Sequence, residues 1–222
     1  MILECDDLRK EFQVGKNVQK VLNGINLQVQ ECDFITIMGK SGSGKTTFLN
    51  CISLLINATA GNIIIDGKNV SECKGLVIEK IRQEKIGMVF QNANLISCLS
   101  SIDNLILAMH NKISYLEKKK KALYLLEKIN LQSKANIKVT ALSGGEQQRI
   151  AILRALVNNP KIVICDEPTG ALDVKTSKEV MDFLIDMCKI YKSALIIVTH
   201  DPQIGKLGKR KFIMERGILN EA

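Results

Sequence analysis

Apolar residues in this chain gather in short β-branched runs separated by longer stretches of helical spacing. Six runs read as strands, at 34–38, 62–65, 85–90, 162–165, 194–198 and 211–214. Three of them are continuous rather than alternating in polarity, which is how strands covered on both faces of a parallel sheet read. Helices must supply that cover, and apolar residues recur at helical intervals over 45–55, 116–129, 144–158 and 175–191. In the second of these, Leu116, Leu123, Leu126 and Ile129 fall on one side, the side predicted to be buried. The region from 92 to 158 carries no strand signal and is too long for a simple crossover. It is predicted to be a helical subdomain inserted into an α/β core made of 1–91 and 159–222, the whole 222 residues forming a single unit.

Composition supports a folded chain: 46% of residues are hydrophobic and 24% charged. The longest apolar runs, 162–165 and 194–198, fall far short of the roughly 18 residues that span a bilayer, so the chain is not expected to cross a membrane itself. Glu4, Asp6 and Asp7 among the first seven residues do not fit the basic, then apolar, start of a secretion signal, and the expected location is cytoplasmic. Seven cysteines are present and the closest two, Cys32 and Cys51, are 19 positions apart, so no CxxC or zinc pair can be drawn and free thiols are expected. The formal charge of +8 fits nucleic acid, a membrane surface or a polyanionic small ligand. Its densest pieces are Lys118 to Lys121 and the 206–211 segment. With no Trp, three Tyr and six Phe to stack on bases, these read as solvated surface, and no nucleic-acid partner is expected.

The chemistry begins after the 34–38 strand. Gly39, Lys40, Ser41, Gly42, Ser43, Gly44, Lys45 and Thr46 fit G-x-x-x-x-G-K-[ST] and run into a helical pattern starting Thr47, Phe48, Leu49. Such a loop turns backbone N–H groups inward at a helix N-terminus, which suits a chain of phosphates. Lys45 would reach the β and γ phosphates, Thr46 would offer its hydroxyl to Mg²⁺, and Thr47 would donate near the α phosphate. Upstream, Phe12 is an aromatic that either packs or stacks on a purine.

The apolar run at 162–165 ends in Asp166 and Glu167, placing two acids at the carboxyl edge of a parallel sheet. Asp166 is predicted to hold Mg²⁺ directly or through water. Glu167, pointing elsewhere, is predicted to polarise an attacking water.

Leu142, Ser143, Gly144, Gly145, Glu146, Gln147, Gln148 and Arg149 form a third motif, with Ser143 only 23 residues before Asp166. With this order of motifs the chain resembles the nucleotide-binding subunit of an ATP-binding cassette (ABC) transporter, from the segment containing Phe12 through Gly217. The resemblance implies a P-loop NTPase core, mostly parallel with flanking helices, an N-terminal antiparallel β subdomain and the inserted helical subdomain. It implies ATP and Mg²⁺ as ligands. Phe12 becomes the adenine-stacking aromatic and Gln91 the residue linking Mg²⁺ and the attacking water to a membrane partner that docks over 92–101. Ser143, Gly144, Gly145 and Glu146 become the signature loop, Asp173 part of the loop that communicates across a dimer, and His200 the contact to the γ phosphate. Lys40 and Val139 stand where proline is common, Phe12 where tyrosine is usual and Leu153 where a small residue is common; none of these removes a catalytic group.

A signature at a helix start cannot fold onto its own P-loop, so the resemblance further implies a head-to-tail homodimer with two nucleotides sandwiched between copies. The motifs look most like the branch serving macrolide and antimicrobial-peptide exporters and lipoprotein-releasing complexes. The expected function is an ATPase powering export or extraction of a peptide, lipopeptide or hydrophobic compound through a separate integral membrane permease, the chain lying on the inner face of the membrane. The alternative is a cassette coupled to a cell-division complex or to a non-transport process. Relatives acting on DNA ends or ribosomes carry long coiled coils or two cassettes, and this chain has neither.

Overall fold

The computed structural model describes residues 1–110 and 112–222; residue 111, inside the 92–158 span, lies outside the described residues. In chain order the strands are β1 (Leu3–Val14), β2 (Asn17–Val29), β3 (Phe34–Met38), β4 (Ala60–Ile65), β5 (Lys68–Asn69), β6 (Ile86–Phe90), β7 (Ile162–Asp166), β8 (Ala194–Thr199), β9 (Arg210–Glu215) and β10 (Ile218–Glu221). The helices are α1 (Lys45–Ile52), α2 (Leu76–Lys85), α3 (Ser101–Ala108), α4 (Tyr115–Lys128), α5 (Gly144–Leu156), α6 (Val174–Tyr191) and the single turn α7 (Pro202–Gly205).

Two sheets result. A four-stranded antiparallel sheet runs β2-β1-β4-β5, and a six-stranded sheet runs β10-β9-β3-β8-β7-β6, parallel except for the terminal β9–β10 pair. The 62–65 run therefore belongs to the antiparallel sheet, where β4 pairs with β1 and β5. The continuous polarity of β7 and β8 has a direct cause. Val163, Cys165, Leu195 and Ile197 point into one hydrophobic core, shared with α3 to α6, while Ile162, Ile164, Ala194, Ile196 and Val198 point into a second, shared with α1 and the antiparallel sheet. Alternate residues of a strand face opposite sides, so a strand covered twice must be apolar throughout.

Between β6 and β7 the described residues contain helices and no named strand, as the patterning predicts. Helix α4 starts with a capping box in which the Ser114 hydroxyl accepts from the Glu117 N–H and the Glu117 carboxylate accepts from the Ser114 N–H. Its buried side matches the predicted one at Leu126 and Ile129, with Leu123 partly buried against the core, and departs from it at Leu116. Ala122, Leu125, Leu126 and Ile129 are buried, while Leu116, in the first turn, is 77% exposed. The Lys118–Lys121 run also splits: Lys118 Nζ donates to the Met109 carbonyl and Lys121 Nζ to that of Val157, tying the helix to its neighbours. All seven cysteines are free thiols, with Cys5, Cys51, Cys165 and Cys188 buried and their thiols pushed up by that burial. No helix among the described residues is long and apolar enough to cross a membrane.

Candidate functional site

Strand order decides which distant residues meet. Strands β3, β8 and β7 lie side by side and parallel, so the segments leaving their carboxyl ends emerge on one edge. These are the 39–46 loop after β3, His200 after β8, and Asp166 with Glu167 at the end of β7.

The loop wraps tightly before α1. Gly42 and Gly44 adopt φ of 78° and 106°, backbone that a β-carbon disfavours, and the Phe48 N–H closes the first turn onto the Gly44 carbonyl at 2.8 Å. Lys45 is 9% exposed and its Nζ donates to the carbonyls of Gly39 (2.7 Å) and Lys40 (2.9 Å), so the ammonium sits over the loop. Thr46 Oγ1 donates to Asp166 Oδ2 at 3.3 Å, joining residues 120 apart in sequence. Burial pushes the Asp166 carboxyl above the usual carboxylate range, with the Thr46 hydrogen bond opposing and the Glu167 charge adding to the rise.

Glu167 occupies the left-handed region at φ 47°, its N–H held by the Val198 carbonyl at 2.9 Å. That turn aims its carboxylate at the neighbouring strand's exit, where Oε1 lies 2.7 Å from His200 Nδ1. Ser41, Gly42, Gly44, Lys45, Thr46, Thr47, Asp166, Glu167 and His200 line one cavity of about 800 Å³, with Gln19, Lys20, Val21 and Asn23 of β2 on its wall. Phe12 of β1 lines it too, 39% exposed, with Lys10 Nζ 4.9 Å from the ring centre. Gly39 and Ser43 do not line the cavity but pack against each other within the loop: a β-carbon on Gly39 would lie 2.8 Å from Ser43 Oγ.

Ser143, Gly144, Gly145, Glu146, Asp173 and Gln91 do not line this cavity. Ser143 caps α5 in a second capping box: its N–H donates to Glu146 Oε2 at 3.0 Å, and its hydroxyl accepts from the Glu146 N–H. Lys134 Nζ, 2.5 Å from Glu146 Oε1, is the main influence holding that carboxyl below its usual range. The Glu146 side chain is thereby committed to the cap. Gly145 is required by packing within the chain, since a β-carbon there would meet Thr176 Cγ2 of α6 at 2.5 Å. Asp173 caps α6, accepting from the Thr176 N–H at 3.0 Å. Gln91 lies in a separate groove with Gly144, Ala171 and Leu172, and its amide packs so closely on Gly170 that a β-carbon there would lie 2.9 Å from Nε2.

One residue of the third motif to which the sequence assigned no role links the two regions. Gln148, 2% exposed on α5, donates through Nε2 to the carbonyls of Phe90 (2.8 Å) and Pro168 (2.6 Å), fastening the exit of β6 beside Gln91 to the turn after Glu167. Beyond its place in that motif, its sequence signal is a polar side chain on the buried stripe of α5, between Gly145 and Ile152. Arg154 works alongside it, donating to the carbonyls of Ala93 (3.0 Å) and Asn94 (2.7 Å). Gln148→Ala strands two carbonyls in a dry environment. It is expected to cost about 2–3 kcal/mol and to lower the melting temperature by roughly 5–10 °C, as read by thermal denaturation; an unchanged melting temperature would show that the bridge carries no stability.

Comparison with known proteins bears on the same residues. The sequence matches the ABC transporter family over residues 22–170. The uncharacterized ABC transporter ATP-binding protein MJ0796 of Methanocaldococcus jannaschii is 38% identical over 221 residues, covering 97% of this chain and 94% of that protein. The macrolide export ATP-binding/permease protein MacB of Syntrophobacter fumaroxidans is 36% identical over 221 residues, which is 98% of this chain and 31% of that longer one. A solved dimeric structure of MJ0796 in a post-hydrolysis state, bound to ADP and Pi, superposes with a TM-score of 0.90 at 36% identity, covering 100% of this chain and 98% of that one. With more than half of the chain matched and a near-full-length relative at this identity, the chain belongs to the ABC transporter family, as an ATPase subunit.

Proposed function

We propose that two copies of this chain bind Mg-ATP head to tail and hydrolyse it to power export or extraction of a peptide, lipopeptide or hydrophobic compound through a separate membrane permease. The observation that carries the reading is the convergence, at one sheet edge, of the Lys45 loop, the Thr46–Asp166 pair and the Glu167–His200 pair, with the Ser143 helix start outside that cavity. A site complete on its phosphate side and lacking its signature is the half that a second copy would finish. The dimeric structures solved for the MJ0796 cassette support this arrangement, and the joined permease of MacB supports a membrane partner. The chain then lies in the cytoplasm against the inner face of the membrane, held there by the permease. The 92–101 loop, braced by Arg154, is the proposed docking surface, and Gln91 relays its position to the site.

The donor set fits magnesium. Thr46 and Asp166 offer a hydroxyl and a carboxylate, both hard oxygens, and among the described residues no cluster of three His, Cys, Asp or Glu forms a self-sufficient site for another ion. Magnesium bound there with the nucleotide would offset phosphate charge. Phe12 stacks on the base, and Lys45 with the loop N–H groups of 39–46 holds the phosphates. Glu167 accepts a proton from water as its oxygen bonds to the γ phosphorus and the bond to the bridging oxygen breaks, the electron pair leaving on ADP. His200 fixes the Glu167 carboxylate and contacts the γ phosphate. From the partner copy, Ser143, Gly144, Gly145 and the α5 N-terminus close on that phosphate, and Asp173 lies across the interface.

Mixing tests the shared site. A Lys45→Ala subunit has a dead loop, and a Ser143→Arg subunit has a blocked signature, so each alone builds only defective sites. A mixed dimer builds one intact loop facing one intact signature. ATPase activity is expected to return on mixing, and a mixture no more active than either parent despite demonstrated heterodimers would refute a site shared between copies.

A further inference from the structure

The turn between β9 and β10 is bonded into the phosphate loop. The Gly217 N–H donates to the Ser43 carbonyl at 3.0 Å, and the Gly217 carbonyl accepts from the Asn23 N–H at 2.9 Å. Asn23 Nδ2 also donates to the Arg216 carbonyl at 2.7 Å. There is no slack at this junction. A β-carbon on Gly217 would fall 2.2 Å from the Val21 carbonyl oxygen, and one on Gly39 would fall 2.4 Å from that of Met214. Strand β2, the 39–46 loop and the C-terminal hairpin thus form one bracket, and the position of residue 216 follows the position of the loop.

That bracket holds Arg216 in the left-handed region at φ 48°, a conformation that a side chain disfavours. Arg216, an exposed residue, lines the cavity that also holds Lys45, Thr46 and Phe12. The hydrogen bonds and ion pairs of the described residues give its guanidinium no carboxylate partner, whereas Arg9 and Arg210 each pair with a carboxylate. A strained, unpaired cation on the wall of a site for a polyanion has one evident counter-charge, the ligand itself.

We propose that Arg216 is a nucleotide-contacting residue whose guanidinium meets the phosphate chain from the hairpin side of the cavity, and that Asn23 is a positioning residue that fixes the turn carrying it. Phosphate is favoured over the base on two grounds. The turn is bonded directly to the phosphate loop through Ser43, and a guanidinium offers the forked donors and permanent charge that phosphate oxygens take up. This rests on the reading of the 39–46 loop as the ATP site.

Arg216→Gly separates a ligand role from a structural one, because glycine accepts φ 48° without strain and the variant should melt at or above the wild-type temperature. Calorimetric titration of the whole chain with Mg-ATP is expected to show affinity weakened about 5–20-fold, with a shallower dependence on salt. Steady-state ATPase assays should place the loss in KM more than in kcat. Arg216→Lys should recover most of the affinity, and Asn23→Ala should reproduce the KM defect. Wild-type affinity in a well-folded Arg216→Gly protein would overturn the inference. Lys45→Ala, titrated in parallel, separates the two failures: if it loses ATP while Arg216→Gly does not, only the role of Arg216 falls, whereas if Lys45→Ala still binds tightly the site itself is misplaced.

Discussion

Lys45→Ala is expected to weaken Mg-ATP binding by at least about 100-fold, a loss near 2.8 kcal/mol, in calorimetric titration of the isolated chain. Lys45 is 9% exposed and its ammonium already sits where the loop gathers its donors, bonded to the Gly39 and Lys40 carbonyls. Moving from those neutral carbonyls to phosphate oxygens needs no refolding of the loop, only rotation of a flexible stem, and it exchanges a neutral acceptor for a charged one. Removal deletes a charge from a largely enclosed place, where screening by solvent is weak. The loop itself should survive, because Gly42, Gly44 and the Gly217–Ser43 bond define its course independently of Lys45. A melting temperature close to wild type together with lost binding is the expected pair of results. Wild-type affinity would reject the loop as the nucleotide site.

Much of this site was legible because its parts are local in sequence. A glycine-rich turn with Lys and Thr at fixed offsets needs only a strand before it and a helix after it, and both are written in the apolar pattern around Phe34–Met38 and Lys45–Ile52. Asp166 and Glu167 are legible for the same reason. Their meeting with the loop was predictable once the strands were read as parallel, because parallel strands send their carboxyl ends to one edge.

Other features depend on contacts that no local pattern records. Strand β1 has only three buried positions, Leu3, Cys5 and Leu8, and its register against β2 shifts between Cys5 and Leu8 and again between Lys10 and Glu11, so the period of two is broken. Scanning for strands by pattern therefore passed over it, and the N-terminal sheet was supplied by resemblance. Helix α2 buries no residue fully, and only Ile78 and Ile81 pack against the core, too short a stripe for the pattern to mark. Gly145 reads as a ligand-binding glycine, yet in this chain it is also the point where α5 meets Thr176 of α6. Gln148 and Arg154 act on backbone carbonyls 20 to 61 residues away, and carbonyls are the same in every sequence.

Glu167→Gln is expected to leave Mg-ATP affinity within a few-fold of wild type while lowering kcat by about 10²–10⁴-fold, the contribution of a well-placed general base. The amide has nearly the same shape as the carboxylate and tolerates the same turn at φ 47°, so the Val198 carbonyl should keep its bond and the site its geometry. What the amide cannot do is take a proton from water. The neighbouring Asp166 is a poor substitute, because its carboxylate is bonded to Thr46. His200 Nδ1 is 2.7 Å from Glu167 Oε1 and serves to orient it, and a ring with 69% of its side chain exposed is not held tightly enough to replace it. Slow chemistry with intact binding should trap the ATP-bound state, so gel filtration in Mg-ATP is expected to show a dimer for this variant and mostly monomer for wild type, which turns over and separates. A kcat within tenfold of wild type would remove Glu167 from the role of base.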